Sequence, residues 1–218
     1  MRQTARQILI TGAILGGFAV IGSALVALTH EGTEERIEEA QREALLKRLH
    51  ELVTPEQSDN DLYHDVIEVT DKALLGSDKP VHIYRARKAG KPVAALLTPV
   101  APNGYGGAIK LLVAVNVDGT LAGGRVLQHH ETPGLGDDIE AERSDWILSF
   151  NNHSLASLTP QQWQVKKDGG VFDQFTGATI TPRAIVQAVH RSLNYFQQHQ
   201  ETLFTTPSLP REVEESHE

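Results

Sequence analysis

Two short stretches hold the residue types best suited to chemistry. The first runs Asp173-Gln174-Phe175-Thr176-Gly177-Ala178-Thr179-Ile180-Thr181-Pro182. Phe172 and Phe175 belong to an apolar segment, Gly177 and Ala178 strip the next turn of bulk, and Thr181 has the side chain of a helix N-cap. Pro182 follows where a first helical turn accepts proline. Ile185, Val189, Leu193 and Phe196 then recur at helical spacing. Thr179 thus presents a hydroxyl beside a helix N-terminus, whose free N–H groups and dipole attract anions. A hydroxyl so placed can hold a phosphate or be esterified to one. The second stretch is Glu131-Thr132-Pro133-Gly134-Leu135-Gly136. Proline fixes one φ and two glycines free the rest, so Leu135 is either held out over a flat ligand or tucked into the core. His129 and His130 beside Glu131 invite a metal reading. Adjacent strand residues face opposite sides, however, and no further histidine follows at ligand spacing, so no metal is expected here.

Composition narrows the chemistry. The 218 residues carry a formal net charge of −8, against a nucleic-acid partner, and no cysteine. Disulfides, thiol nucleophiles and Cys-ligated zinc or iron–sulfur centres are excluded, and a redox role must rest on an organic cofactor or a non-thiolate metal.

The elements that must position these residues follow in order. Residues 8–28 form an uncharged run of about 21 residues, enough to cross a bilayer as a helix. Arg2 and Arg6 precede it and Glu31, Glu34 and Glu35 follow, so residues 1–7 are expected in the cytoplasm and the rest outside. A cleaved signal peptide is the rival, with a shorter apolar region and a small-residue cleavage site that is not evident here. Gly12 and Gly16 have the spacing that seats a partner helix. Residues 29–60 read as a juxtamembrane amphipathic helix (Ile37, Ala40, Ala44, Leu45, Leu49 and Leu52 on one side) and a linker. A domain is expected over residues 61–204. Its strands are expected at 81–87, 92–97, 109–117 and 120–128, with a short glycine-containing turn at Lys88-Ala89-Gly90-Lys91 and a hairpin turn at Asp118-Gly119. The glycines of Asn103-Gly104-Tyr105-Gly106-Gly107 precede a β-branched run, not a helix. They therefore mark a bend or close backbone approach rather than a dinucleotide loop. A helix is expected at 139–150 with Trp146 in the core, then a sequon at Asn152-His153-Ser154 and a second hairpin over 163–175. Residues 205–218 read as a disordered acidic tail. The fold class expected is α+β, an antiparallel sheet with flanking helices behind one membrane helix.

With these residues in view, a family resemblance enters. Asp173-x-x-Thr176-Gly177-Ala178-Thr179 resembles the flavinylation motif of FMN-binding domains, and Glu131 to Gly136 resembles their second signature. The N-terminal anchor, Asp145-Trp146-Ile147, Val165 to Gly170 and the helix after Thr181-Pro182 extend the likeness to the family of G subunits of Rnf (Rsx) electron transport complexes. The C subunits of sodium-pumping NADH:quinone reductases share both motifs and are usually longer. The resemblance implies FMN joined by a phosphoester to Thr179, with Thr176, Gly177 and Ala178 beside it. Asp173 would be read, with those residues, by a flavin transferase. Glu131, Thr132, Pro133, Gly134, Leu135 and Gly136 would line the flavin pocket. The position of Thr176 is serine in many relatives; threonine keeps the hydroxyl. The implied function is an electron relay among the subunits of a bacterial inner-membrane complex, with the FMN domain periplasmic. It would be a redox component of a translocase, not a stand-alone enzyme, and Na⁺ or H⁺ coupling would belong to the assembly. A flavin-free membrane adaptor and an extracytoplasmic sensing domain remain the other classes.

Overall fold

The computed structural model describes residues 2–210; the side chains of 2–5, 8, 9, 27–32, 34, 35 and 38 fall outside the described set. The expected flanking charges at Arg2, Glu31, Glu34 and Glu35, and residues 211–218 of the expected tail, therefore lie outside the described residues. A single helix, α1 (Arg2–Leu52), opens the chain. The chain divides into two compact units, Met1–Leu45 and Leu46–Glu218.

In the first unit, Ile10, Ile14, Leu15, Phe18, Val20, Ile21, Leu25 and Val26 are all exposed along α1. Among the described residues no helix is long and apolar enough to cross a membrane. The ends of the apolar run, residues 8, 9, 27 and 28, are among those whose side chains are not described.

The second unit begins inside α1. Leu49, Leu52 and Val53 are buried in it, and Glu51 Oε2 accepts from Arg125 Nε at 2.8 Å. The stretch expected as a linker is likewise tied down: Asn60 Nδ2 donates to the Arg85 carbonyl (2.8 Å) and its Oδ1 accepts from Arg87 N (2.7 Å).

The sheet contains β1 (Val66–Asp71), β2 (Ser77–Lys88), β3 (Lys91–Leu97), β4 (Val100–Ala101), β5 (Ile109–Asn116) and β6 (Leu121–Gln128), with every pairing antiparallel. β3 and β4 both pair with β5, at 113–116 and 109–110, and β6 takes its other edge. Ala89 (φ 48°) and Gly90 (φ 75°) make the two-residue turn between β2 and β3, the left-handed pair that matches strand twist. Gly119 (φ 85°) closes the β5–β6 turn, where Asp118 Oδ1 accepts from Thr120 N at 2.9 Å. β1, β4 and the one-turn helix α2 (Lys72–Leu75) were not expected; Asp71 Oδ1 caps α2 by accepting from Leu74 N at 2.8 Å.

α3 (Ile180–Thr205) packs Ile185, Val189, Leu193 and Phe196 into one cluster with Ile109, Leu111, Val113 and Val115 of β5. The same cluster takes Phe150, Trp163 and Phe172 from the long connection after β6. That connection departs from expectation twice. The helix expected over 139–150 is two 3₁₀ turns, Asp137–Ile139 and Asp145–Phe150. Ser144 breaks the run by accepting from Trp146 N at 3.2 Å, and the tighter turn lets adjacent Trp146 and Ile147 both bury. The hairpin expected over 163–175 is instead one parallel bridge, Val165 to Phe172, around a 3₁₀ turn at Lys166–Asp168. Its apolar residues serve the core: Phe172 stacks on Phe150 (4.6 Å) and leans on Trp163 (5.4 Å). Residues 206–209, expected as disordered tail, are fastened to the sheet: Leu209 N donates to the Val66 carbonyl at 2.8 Å and Ser208 Oγ accepts from Arg85 Nη2 at 2.7 Å.

Candidate functional site

The turn before α3 is built from its aromatic side. Trp146 Nε1 donates to the Asp173 carbonyl at 2.7 Å, and the indole meets Phe175 edge to face at 5.2 Å. Ala178 N donates to the Phe175 carbonyl at 3.2 Å, closing a four-residue reversal whose third residue, Gly177, has φ 84°. A side chain there would be strained, which is why the turn calls for glycine. Asp173, Thr176 and Gly177 are exposed; Ala178 and Thr179 are half-buried.

The helix starts earlier than its sequence suggests. Thr179 occupies the capping position in right-handed backbone (φ −77°, ψ −27°), and its side chain makes no capping hydrogen bond. Its hydroxyl is therefore uncommitted to the helix, beside the free first-turn N–H groups of Ile180 and Thr181. Thr181, expected as the cap, lies inside the helix and is fully buried, its Oγ1 donating to Glu131 Oε2 at 2.6 Å. Pro182 is also inside the first turn, where its missing N–H leaves nothing unpaired.

Glu131 reaches Thr181 from the second stretch. It is only 6% exposed, and its other oxygen, Oε1, accepts from Gly106 N at 3.0 Å. The loop beyond it is held by Leu135 N and Gly136 N, both donating to the Thr132 carbonyl at 3.1 Å, and by Gly134 N donating to Asp137 Oδ1 at 2.7 Å. Thr132, Pro133 and Gly134 are exposed and Gly136 is buried. Of the two placements open to Leu135, the structure takes the outward one: it is 48% exposed. A methyl group on Gly177 would lie 3.9 Å from Leu135 Cδ2, so the two stretches are neighbours. The close approach expected of the 103–107 glycines is also present. A methyl at Gly106 would collide with the His130 carbonyl, and one at Gly104 would crowd the Gly107 carbonyl, Glu131 and Ile109; Tyr105 between them is 70% exposed.

Charges surround the turn in pairs. Lys166 Nζ meets Asp173 Oδ1 at 2.7 Å. Arg183 grips Asp168 with Nε and Nη2 at 2.6 and 2.9 Å, and those hydrogen bonds hold the Asp168 carboxyl below its ordinary range. His129 is committed to structure: Nδ1 accepts from Glu131 N and Nε2 meets Glu140 Oε1, each at 3.0 Å. The His129 hydrogen bond, reinforced by Arg143, draws the Glu140 carboxyl down.

The arrangement thus joins an uncommitted hydroxyl at a helix N-terminus, a small-residue turn and an outward leucine. Such a set suits a phosphate-bearing ligand with a flat apolar part. Sequence reasoning missed the Thr181–Glu131 contact, which spans fifty positions of sequence, and the Trp146 bond beneath the turn.

Comparison with known proteins bears on the same regions. Residues 104–194 match the model of the FMN-binding domain, and residues 1–52 match that of the RnfG N-terminal region. The chain is 53% identical over 194 residues to the G subunit of the ion-translocating oxidoreductase complex of Pseudoalteromonas atlantica, covering 89% of this chain and 90% of that protein. The proteins of the same description from Shewanella loihica and Pseudomonas aeruginosa are 47% and 48% identical. Those alignments cover 93% and 92% of this chain, and 96% and 94% of the relatives.

Proposed function

The chain belongs to the family of G subunits of ion-translocating oxidoreductase complexes, and from that premise we propose that it relays electrons through an FMN esterified at Thr179. The observation that carries the reading is the Thr179 hydroxyl, at the N-terminus of α3 and free of any capping bond, beside the loop that holds Leu135 outward. A phosphoester would form there as the hydroxyl oxygen attacks the flavin phosphate of an anhydride-activated flavin nucleotide brought by the transferase, the anhydride bond breaking and the hydroxyl proton leaving with the departing nucleotide. The first-turn N–H groups and the helix dipole then help offset the repulsion of an acidic chain. Gly177 and Ala178 leave room for a flavin transferase, with exposed Asp173 as part of what it reads. Leu135 and its neighbours from Thr132 to Gly136 form the wall of the flavin pocket. FMN, when bound, passes electrons singly or in pairs. The protein's own residues fix the phosphate, shield the ring and set where partner proteins approach.

The exposed apolar face of α1 supports a membrane anchor over residues 8–28, with the FMN-binding domain on the periplasmic side. Covalency suits that placement, since a merely bound flavin would diffuse away. Residues 8–28 contain no Asp, Glu, Lys, Arg or His, so ion movement belongs to the rest of the complex.

The test is co-expression with a flavin transferase, denaturation, and inspection of the protein's gel band for flavin fluorescence and of its intact mass. The wild-type band fluoresces and carries the added mass; Thr179→Val, nearly isosteric but without the hydroxyl, loses both entirely. An unlabelled wild-type chain of unmodified mass would leave the adaptor or sensing readings standing. A label that survives Thr179→Val would move the attachment site.

A further inference from the structure

We propose that Glu131 is a positioning residue, a buried carboxylate that sets the three segments around Thr179 at fixed distances without touching the flavin. The proposal rests on the covalent FMN reading above and goes beyond it, since the family motif alone would make Glu131 part of the pocket lining.

Each carboxylate oxygen serves a different segment. Oε1 accepts from Gly106 N at 3.0 Å, on the loop that carries Tyr105, and Oε2 accepts from Thr181 Oγ1 at 2.6 Å, two residues past Thr179. The third segment is its own: a methyl on Gly136 would lie 2.6 Å from Oε2 and 2.9 Å from Cβ of Glu131, so the 132–136 loop wraps directly on the side chain. Gly104 closes the remaining side, where a methyl would stand 2.8 Å from Oε1. Glycines at 104 and 136 therefore leave the space that the carboxylate fills.

What the three segments carry is the reason to hold them. Tyr105 (70%), Leu135 (48%) and Ile180 (46%) are large exposed side chains, each within one residue of a group bound by or packed on Glu131. Among the described residues no lysine or arginine is ion-paired with Glu131. The site thus holds a buried acid satisfied by a backbone N–H and one hydroxyl alone, where apolar packing would serve stability at lower desolvation cost. Charge-assisted hydrogen bonds are short and directional, and what they add over apolar packing is fixed geometry. Glu131 acts through Thr181 and Gly106 on where the Thr179 oxygen and the outward leucine stand.

The experiment uses the full chain with its flavin transferase and compares Glu131→Gln, Thr181→Val and Thr181→Ser with wild type. Three quantities are read on the folded fraction: the initial rate of flavin attachment by intact mass, the midpoint potential of the attached flavin, and the melting temperature. Glu131→Gln leaves one of the two donors facing an amide N–H, and Thr181→Val keeps the packing while orphaning Oε2. Both are expected to slow attachment by about tenfold, short of the roughly hundredfold that a 1 Å misplacement of a reacting group can cost. Both are expected to shift the midpoint potential, and Thr181→Ser to restore each toward wild type. Lower melting temperatures with unchanged attachment rate and potential would overturn the proposal, leaving Glu131 a stabilising contact only. If Glu131→Gln does not fold, the contrast between Thr181→Val and Thr181→Ser decides by the same criteria. A wild-type chain that takes no flavin overturns both readings; a labelled wild type matched by its variants overturns this one alone.

Discussion

Arg85 and Glu131 are both charged, both nearly inaccessible, and put to opposite uses. Arg85, 1% exposed, sits in β2. Its Nε donates to Asp65 Oδ1 (2.7 Å), Nη1 to the Leu203 carbonyl (3.0 Å) and Nη2 to Ser208 Oγ (2.7 Å). Arg87 adds a second guanidinium to the same aspartate, Nε to Oδ2 at 2.7 Å. The planar fork of arginine meets a carboxylate and fixed carbonyls, so strand, helix end and C-terminal extension become one piece. Glu131 joins loops. Its partners are a glycine N–H and a hydroxyl, and the segments it gathers end in exposed Tyr105, Leu135 and Ile180. One charge fastens regular structure and leaves little free; the other ties two loops to a helix start and leaves side chains presented to solvent.

The largest effect should separate the two regions most sharply. Asp65→Ala leaves the buried Arg85 without its counter-charge and should cost about 3–5 kcal/mol in denaturant unfolding. Flavin attachment and midpoint potential should be unchanged in the molecules that fold; a shifted potential would erase the distinction. Gly136→Ala forces a methyl against Glu131 and should cost about 1–3 kcal/mol. Unlike Asp65→Ala, it should also slow attachment in the transferase assay. The smallest effect lies outside both regions. His190 is half-buried and stacked on Trp163 at 5.4 Å, and burial, aided by Arg191, lowers its pKa from the ordinary 6.5. The folded chain thus binds fewer protons there than the unfolded one. The resulting stability is complete above about pH 6.5 and falls as pH drops toward the lowered folded value. His190→Gln should flatten the melting-temperature profile between neutral and mildly acidic pH. An unaltered slope would assign the acid sensitivity to other groups.

Most of this was legible in the sequence where the signal was local. Gly90 and Asp118-Gly119 announced their turns because glycine takes positive φ without strain, and α3 announced itself by its 3.6-residue apolar period. β1, β4 and α2 escaped because six, two and four residues carry too little periodicity to stand out. The apolar spacing of 139–150 reads equally well as an α-helix, and only the Ser144 break decides otherwise. The candidate site was half visible. The Thr179 hydroxyl at a helix start followed from turn chemistry, Leu135 stayed open between two placements, and Thr181 looked like a cap because Thr-Pro at a helix start usually is one. Its partner was fifty positions away, beyond any spacing rule, although the glycines at 104 and 106 pointed to a bend or close backbone approach there.

Trp146 gives the domain a built-in optical gauge. The chain has two tryptophans, and this one anchors the Asp173 carbonyl and lies against Phe175, directly under the turn that bears Thr179. Indole emission overlaps the near-ultraviolet and blue absorption of an oxidised isoalloxazine. Arrival of the flavin would therefore dim this tryptophan by resonance energy transfer, and bleaching the flavin by reduction would brighten it. With Trp163 replaced by phenylalanine, the remaining emission would follow loading and redox state in the intact protein, in real time and without an added dye.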